Sequence, residues 1–217
     1  MADGPSVHVP APPEELGKWV GQVIWPQDRV IHRIHLHGYA GAEFNPGIKG
    51  NARFSPITNR GGAPIPTLYG GSTLDCAGME TVFHDVPFSP GLKTFDKNKL
   101  NGQVHSMLVP LRDLVLADLS VTALRRLGVT RPQLIDTEKD QYPQTRKWAE
   151  AIHAARPDVD GLCWVSRQDD RAEALILFGD RVSSDTLAAR GEPQAVIDGD
   201  IYLALAALAE RIGLKIV

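Results

Sequence analysis

Apolar and polar residues alternate over 31–37: His32, Ile34 and Leu36 share one parity, and Arg33, His35 and His37 the other. A period of two is the spacing of a β-strand, so the run predicts a strand with a largely apolar back and a basic front. Residues 65–69, 104–109, 162–166 and 174–178 read as further strands, with Asp169, Asp170 and Arg171 connecting the last two. Ile65, Thr67 and Tyr69 share a face, as do Leu162, Trp164 and Ser166. Helical spacing takes over elsewhere. Ser72 or Thr73 caps a helix that runs to about His84 and is stopped by Pro87. Glu80 on that helix lies three or four positions from Cys76, Ala77, Phe83 and His84. Ser120 caps a helix to Leu127 with Gly128 beyond it, and Pro143 suits the first turn of one ending at Arg156. Thr145, Trp148, Ile152 and Ala155 form the core-facing stripe of the latter. Ile201, Leu205, Leu208 and Ile212 mark a C-terminal amphipathic helix ending at Gly213. A short helix over 14–20 is interrupted by Trp25-Pro26. Residues 38–60, rich in Gly, Asn and Pro, form a long loop around Arg53, of a length that often carries function. Short strands mixed irregularly with helices predict an α+β fold, with small mixed or antiparallel sheets and flanking helices.

The chain of 217 residues suits one domain and is long enough to bury a substantial core. The expected division is an N-terminal stretch over 1–29 and a single domain over 30–217. Residues 1–13 are Pro-rich and read as an arm, mobile or docked on a partner. An apolar share of 43% and a charged share of 23% are ordinary for a soluble globular protein. The net charge of −3 argues against nucleic acid as a direct partner. Cys76 and Cys163 give neither a disulfide framework nor a CxxC metal pair. Pro5, Pro10, Pro12 and Pro13 break any signal-peptide helix, and no apolar run approaches the ~20 residues that span a bilayer. A cytoplasmic location away from membranes is expected.

Candidate chemistry is sparse. Gly70-Gly71-Ser72 has neither GxGxxG nor Walker spacing, although its place before a helix lets amides meet an anion. His35 and His37 lie side by side without a third ligand, so no metal site is expected. Arg33 is either an edge arginine in a salt bridge or a fork of donors for a diphosphate. Arg53 in its loop reads most simply as a solvated charge. Tyr69 is either core packing or a ring that stacks on a base while its hydroxyl orients a ribose. Glu80 shares its helix face with Cys76, Ala77 and Phe83, none of them a salt-bridge partner; it is near the surface or held for a task. Ser166 follows two large apolar residues in strand parity and has no His-Asp partners for a triad. Singly, each residue has a structural explanation.

In order along the chain they have another. Ile31-His32-Arg33-Ile34, Ala52-Arg53-Phe54-Ser55, Leu68-Tyr69-Gly70, Met79-Glu80 and Tyr142-Pro143-Gln144-Thr145-Arg146-Lys147-Trp148-Ala149 are followed by two more segments. These are Gly161-Leu162-Cys163-Trp164-Val165-Ser166-Arg167-Gln168 and Leu177-Phe178-Gly179-Asp180-Arg181. Together they resemble the RES domain family, named for its Arg, Glu and Ser, over about residues 30–181. One departure is His32, where the family often has an aromatic or aliphatic residue. The resemblance implies a fold like that of bacterial ADP-ribosyltransferase toxins. It implies the toxin of a two-gene toxin–antitoxin module that cleaves the nicotinamide–ribose bond of NAD⁺ by phosphorolysis or hydrolysis. NAD⁺ is then the substrate and inorganic phosphate a possible co-substrate, with no permanently bound cofactor. Carried over by position, Arg33 and Arg53 hold the diphosphate and Tyr69 lines the nicotinamide-ribose pocket. Glu80 faces the ribose, and Ser166 orients the nicotinamide ribose or its amide; Glu80, Arg33 and Ser166 form the catalytic set. The implied partner is a small antitoxin of the Xre or helix-turn-helix type, with a homodimer of the toxin as one form of the complex. Two other functions fit the same resemblance: a mono-ADP-ribosyltransferase acting on a protein, and a silent module that binds nucleotide or antitoxin.

Overall fold

The computed structural model describes residues 8–217. Its strands in chain order are β1 (Gly21–Trp25), β2 (Ile31–Leu36), β3 (Ile57–Thr58), β4 (Pro64–Ile65), β5 (Thr67–Gly71), β6 (Lys93–Phe95), β7 (Gln103–Pro110), β8 (Leu114–Asp118), β9 (Gly161–Val165), β10 (Glu173–Phe178), β11 (Leu187–Ala189), β12 (Gln194–Ala195) and β13 (Leu214–Ile216). The α-helices are α1 (Leu16–Trp19), α2 (Leu74–Thr81), α3 (Val121–Arg126), α4 (Arg131–Leu134), α5 (Tyr142–Ala155) and α6 (Gly199–Arg211). The fold is α+β, as the pattern predicts, but most of the strands merge into one sheet of nine. Its order is β1-β8-β9-β10-β5-β2-β7-β11, with β12 also on β7. Every neighbouring pair is antiparallel except β8 with β9.

The sheet is nearly interrupted in the middle. β10 pairs with β5 along its length, from Ala174 opposite Gly71 to Phe178 opposite Thr67. β2 meets β5 only where His32 faces Gly71, and otherwise runs with β7, Ile31 opposite Leu108 and Leu36 opposite Gln103. Two glycines allow even this contact. A Cβ on Gly70 would lie 2.3 Å from Cγ2 of Ile31 on β2, and one on Gly71 would lie 2.7 Å from Sγ of Cys76, so that Gly71 lets α2 pack close beside the contact. The sheet therefore divides into two halves hinged at one residue pair.

Three apolar clusters hold the layers. Phe54, Trp148, Ile152, Leu162, Trp164 and Ile176 pack between α5 and one face of the first half. Leu68, Leu116, Cys163, Leu175 and Leu177 fill the opposite face together with Ile31 and Leu108. Ile34, Ala77, Met79, Leu205 and Leu208 join the second half to α2 and α6. β10 thus sends alternate side chains into two different cores, the reason it reads as a continuous apolar run.

Local signals set the element ends. Thr73 Oγ1 accepts the Cys76 N–H at 3.0 Å and caps α2, worth about 1 kcal/mol. Pro143 lies in the first turn of α5, and Gly213 ends α6 in the left-handed region at φ 67°. At the ends of β8 and β9, Asp160 accepts two bonds from Arg112, each 2.7 Å, and one from the Val115 N–H at 2.9 Å.

The N-terminal stretch differs from the expected arm. The reading of residues 1–7 lies outside the described residues, but Val9 is buried in the core and Trp148 Nε1 donates to the Pro10 carbonyl at 2.7 Å. This part docks on its own chain: Val9 joins the apolar cluster around Trp148 of α5, and the Pro10 carbonyl satisfies the Trp148 indole N–H. Residues 21–25, counted with the N-terminal stretch, form the edge strand β1. Among the described residues, no helix is long and apolar enough to cross a membrane.

Candidate active site

The seam between β2 and β5 opens into a cavity of about 430 Å³ lined by Arg33, Arg53, Tyr69, Glu80, Tyr142 and Trp164 among others, a size in the range of small-molecule sites. Four residues singled out in the sequence thus meet on one surface, although 47 positions separate the first from the last.

Arg53 is fixed by its backbone. Ala52 and Ser55 bridge each other across the turn, and the Phe54 N–H donates to Tyr69 Oη at 2.9 Å. The Ser55 and Thr67 hydroxyls lie 2.8 Å apart, and Thr145 on α5 donates to the Arg53 carbonyl. Phe54 is fully buried, edge-on to Trp164 at 5.1 Å. The arginine itself is only 4% exposed, in contrast to the solvated loop charge its setting predicts. Its guanidinium lies 5.8 Å from the Tyr142 ring, and its Nε and Nη2 are buried without a hydrogen-bond partner. A buried, unpaired cation on a cavity wall is energetically expensive and equips that wall for an anion.

Glu80 projects from α2 on the cavity side, with Ala77, Thr81 and His84. Ser166 Oγ donates to its Oε1 at 2.6 Å and accepts the N–H groups of Gln168 at 3.0 Å and Asp169 at 3.1 Å. Two incoming donors occupy the hydroxyl's acceptor positions, so its one proton must point at the carboxylate. Ser166 is fully buried and absent from the cavity wall. Its hydroxyl meets the cavity lining through Glu80, and the turn amides of Gln168 and Asp169 hold it there.

Arg33 stands on the β2 wall. Its Nη1 donates to the carbonyls of Gly41 at 2.5 Å and Glu43 at 2.7 Å. Burial brings its pKa down to about 10, opposed by the Glu43 carboxylate, and it stays charged at neutral pH. Tyr69 is partly buried, and burial pushes its phenol well above the usual range, so the hydroxyl is neutral where it accepts from Phe54. The Gly70-Gly71-Ser72 turn is not an open anion nest: the Ser72 N–H is taken by the Glu173 carbonyl at 2.8 Å.

The histidines are mostly spoken for. Nδ1 of His32 and Nε2 of His105 lie 3.0 Å apart, with the rings stacked at 5.2 Å. Burial, with His32 and His35 nearby, brings His105 down to about 4. His35 turns Nδ1 to the Leu36 carbonyl and Nε2 to Ser106 Oγ. Sequence reasoning missed His84, Tyr142 and Trp164 as cavity residues. His84 Nε2 lies 3.2 Å from the Tyr142 hydroxyl. Tyr142 and Trp164 both sit inside segments quoted for the resemblance, which was the available signal.

A cavity with a desolvated arginine on one wall and an oriented carboxylate on another can hold an anionic group and stabilise positive charge developing beside it. The model of the RES domain matches residues 30–196. No curated protein matches the chain. Among solved structures, the crystal structure of the M. tuberculosis MbcT–MbcA toxin–antitoxin complex is similar, with a TM-score of 0.62 at 13% identity over 90% of this chain and 98% of that one. At that identity the likeness is one of fold. With the family model spanning most of its length, the chain belongs to the RES domain family.

Proposed function

We propose that the protein is the toxin of a toxin–antitoxin pair and breaks the bond between nicotinamide and ribose in NAD⁺, passing the ADP-ribosyl group to phosphate or water. The observation that carries this reading is the stranded guanidinium of Arg53 sharing one cavity with a Glu80 carboxylate that Ser166 holds in place. Arg53, with Arg33 across the seam, holds the diphosphate, and positioning by such clamps contributes strongly to rate. The C–N electron pair leaves with nicotinamide, which departs neutral and needs little acid catalysis. The ribose carbon becomes oxocarbenium-like and is stabilised by Glu80. A phosphate or water oxygen forms the new C–O bond, and the proton of water goes to solvent. Ser166 is a positioning residue for Glu80.

The fold likeness to a toxin seen in complex with its antitoxin, together with the family, supports a protein antitoxin as partner. A small one of the Xre or helix-turn-helix type covering this cavity is the form we propose. The test is NAD⁺ consumption by the purified protein, with and without phosphate, products identified by mass. Consumption that needs phosphate and yields nicotinamide with ADP-ribose 1″-phosphate identifies a phosphorylase, and consumption without it a hydrolase. Glu80→Gln should lower kcat by about 10²–10³-fold. Label moving from NAD⁺ onto protein without bulk consumption would replace this reading by protein ADP-ribosylation; no turnover of either kind would remove the enzyme.

A further inference from the structure

Buried tryptophans in this chain find acceptors for their indole N–H. Trp25 donates to the Arg29 carbonyl at 3.0 Å and Trp148 to that of Pro10 at 2.7 Å. Trp164 does not: it is 2% exposed, and its Nε1 is buried without a partner. It lines the same cavity as Arg53. Its ring stands edge-on to Phe54 at 5.1 Å and to Tyr69 at 6.3 Å. Phe54 is the residue after Arg53, and Tyr69 Oη anchors the Phe54 N–H. The indole is therefore part of the assembly that presents the arginine.

Buried donors in folded proteins are nearly always satisfied. Arg53 and Trp164 both leave theirs buried without a partner, and both residues line one cavity; both side chains only donate. Their common complement is a group with several acceptor oxygens and no donors. Phosphoryl oxygens meet that description. A carboxamide does not, because its N–H groups would face more donors.

We propose that Trp164 is a ligand-binding residue whose indole N–H, together with Nε and Nη2 of Arg53, holds the phosphoryl oxygens of a dinucleotide's diphosphate. This rests on the functional reading above, and adds a residue and an orientation to it. The diphosphate lies along the Arg53–Trp164 wall, which leaves Glu80 to the ribose.

The test is calorimetric titration of ADP-ribose, which carries the diphosphate without the leaving group, into two full-length proteins. One is unaltered; in the other, benzothienylalanine replaces Trp164, exchanging the N–H for sulfur within nearly the same outline. Nicotinamide riboside, which lacks the diphosphate, is the control ligand. The expected result is ADP-ribose binding weakened by about tenfold, with the affinity for nicotinamide riboside and the melting temperature unchanged. Equal ADP-ribose affinity in the two proteins overturns the proposal and assigns the N–H to the neighbouring Tyr69 or Phe54 ring. Equal weakening of both ligands also overturns it, since the N–H would then act away from the diphosphate. Should the unaltered protein bind neither ADP-ribose nor NAD⁺, the functional reading falls and takes this assignment with it. A missing contrast between two proteins that both bind removes the assignment alone.

Discussion

The guanidinium of Arg53 is left with two nitrogens unpartnered at 4% exposure, an arrangement that works against folding. Arg53→Met keeps most of the stem volume and removes the stranded charge. We expect it to raise unfolding free energy by about 1–3 kcal/mol while reducing NAD⁺ consumption at least a hundredfold. Chemical denaturation and the turnover assay check the two halves separately; a fall in stability would mean that contacts within the protein already satisfy the arginine. Arg53, Tyr69 and Glu80 were legible as candidates because residue type and order along the chain carried them. Burial was not legible. Arg53 reads as solvated until Thr145, Tyr69 and Tyr142, from three other segments, close around it. The contact of Ser166 with Glu80 was hidden for the same reason, since it depends on a turn folding Gln168 and Asp169 back onto its hydroxyl. Trp164 reads only as a large apolar residue in a strand, and nothing in the sequence tells that its N–H is left open.

Between β2 and β7, pairing brings His32 against His105, one ring nitrogen donating to the other. Two protonated rings cannot make that bond, and burial already lowers both pKa values, His105 to about 4. The unfolded chain takes up protons near the ordinary histidine value of 6.5, above where the folded chain does. Unfolded molecules therefore bind more protons between pH 6.5 and 4, and stability rises with pH across that window. It is fully present above 6.5 and lost progressively as pH falls towards 4. Thermal melts of the parent and of His105→Gln over this range should show a steeper acid decline in the parent, the difference cancelling the carboxylates common to both. Parallel curves would leave the pair without a role in acid stability. Elements with a clear period or cap, such as β2, α2, α5 and α6, were legible within a few residues, but the facing of β2 was not. Leu36 on the expected apolar back is exposed and His35 on the expected basic front is buried. Both faces of the strand are covered, Ile31 by one core and Ile34 by another. β8 escaped because Leu114, Leu116 and Ala117 are all buried, which removes the alternation that marks a strand. β6, β11, β12 and β13 have two or three residues each and exist only because a partner strand is present.

Across the whole molecule, the overall class followed from the mixture of elements, but the joining of short strands into one sheet with a seam did not. Strand order is set by contacts between residues distant in sequence, such as Gly71 with His32 and Ala174, and period-two patterns say nothing about who pairs with whom. The seam has a mechanical consequence. Each half carries one arginine: Arg33 rides on β2, while Arg53 is bolted to β5 through Tyr69 and the Ser55–Thr67 contact. A ligand gripped by both becomes the rung that this ladder lacks, a removable piece of secondary structure. With ADP-ribose bound, amide hydrogen exchange should slow in β2 and β5 together, and by the same factor, because the two halves would open as one body. Slowing confined to β5 would show that the ligand touches only one rail.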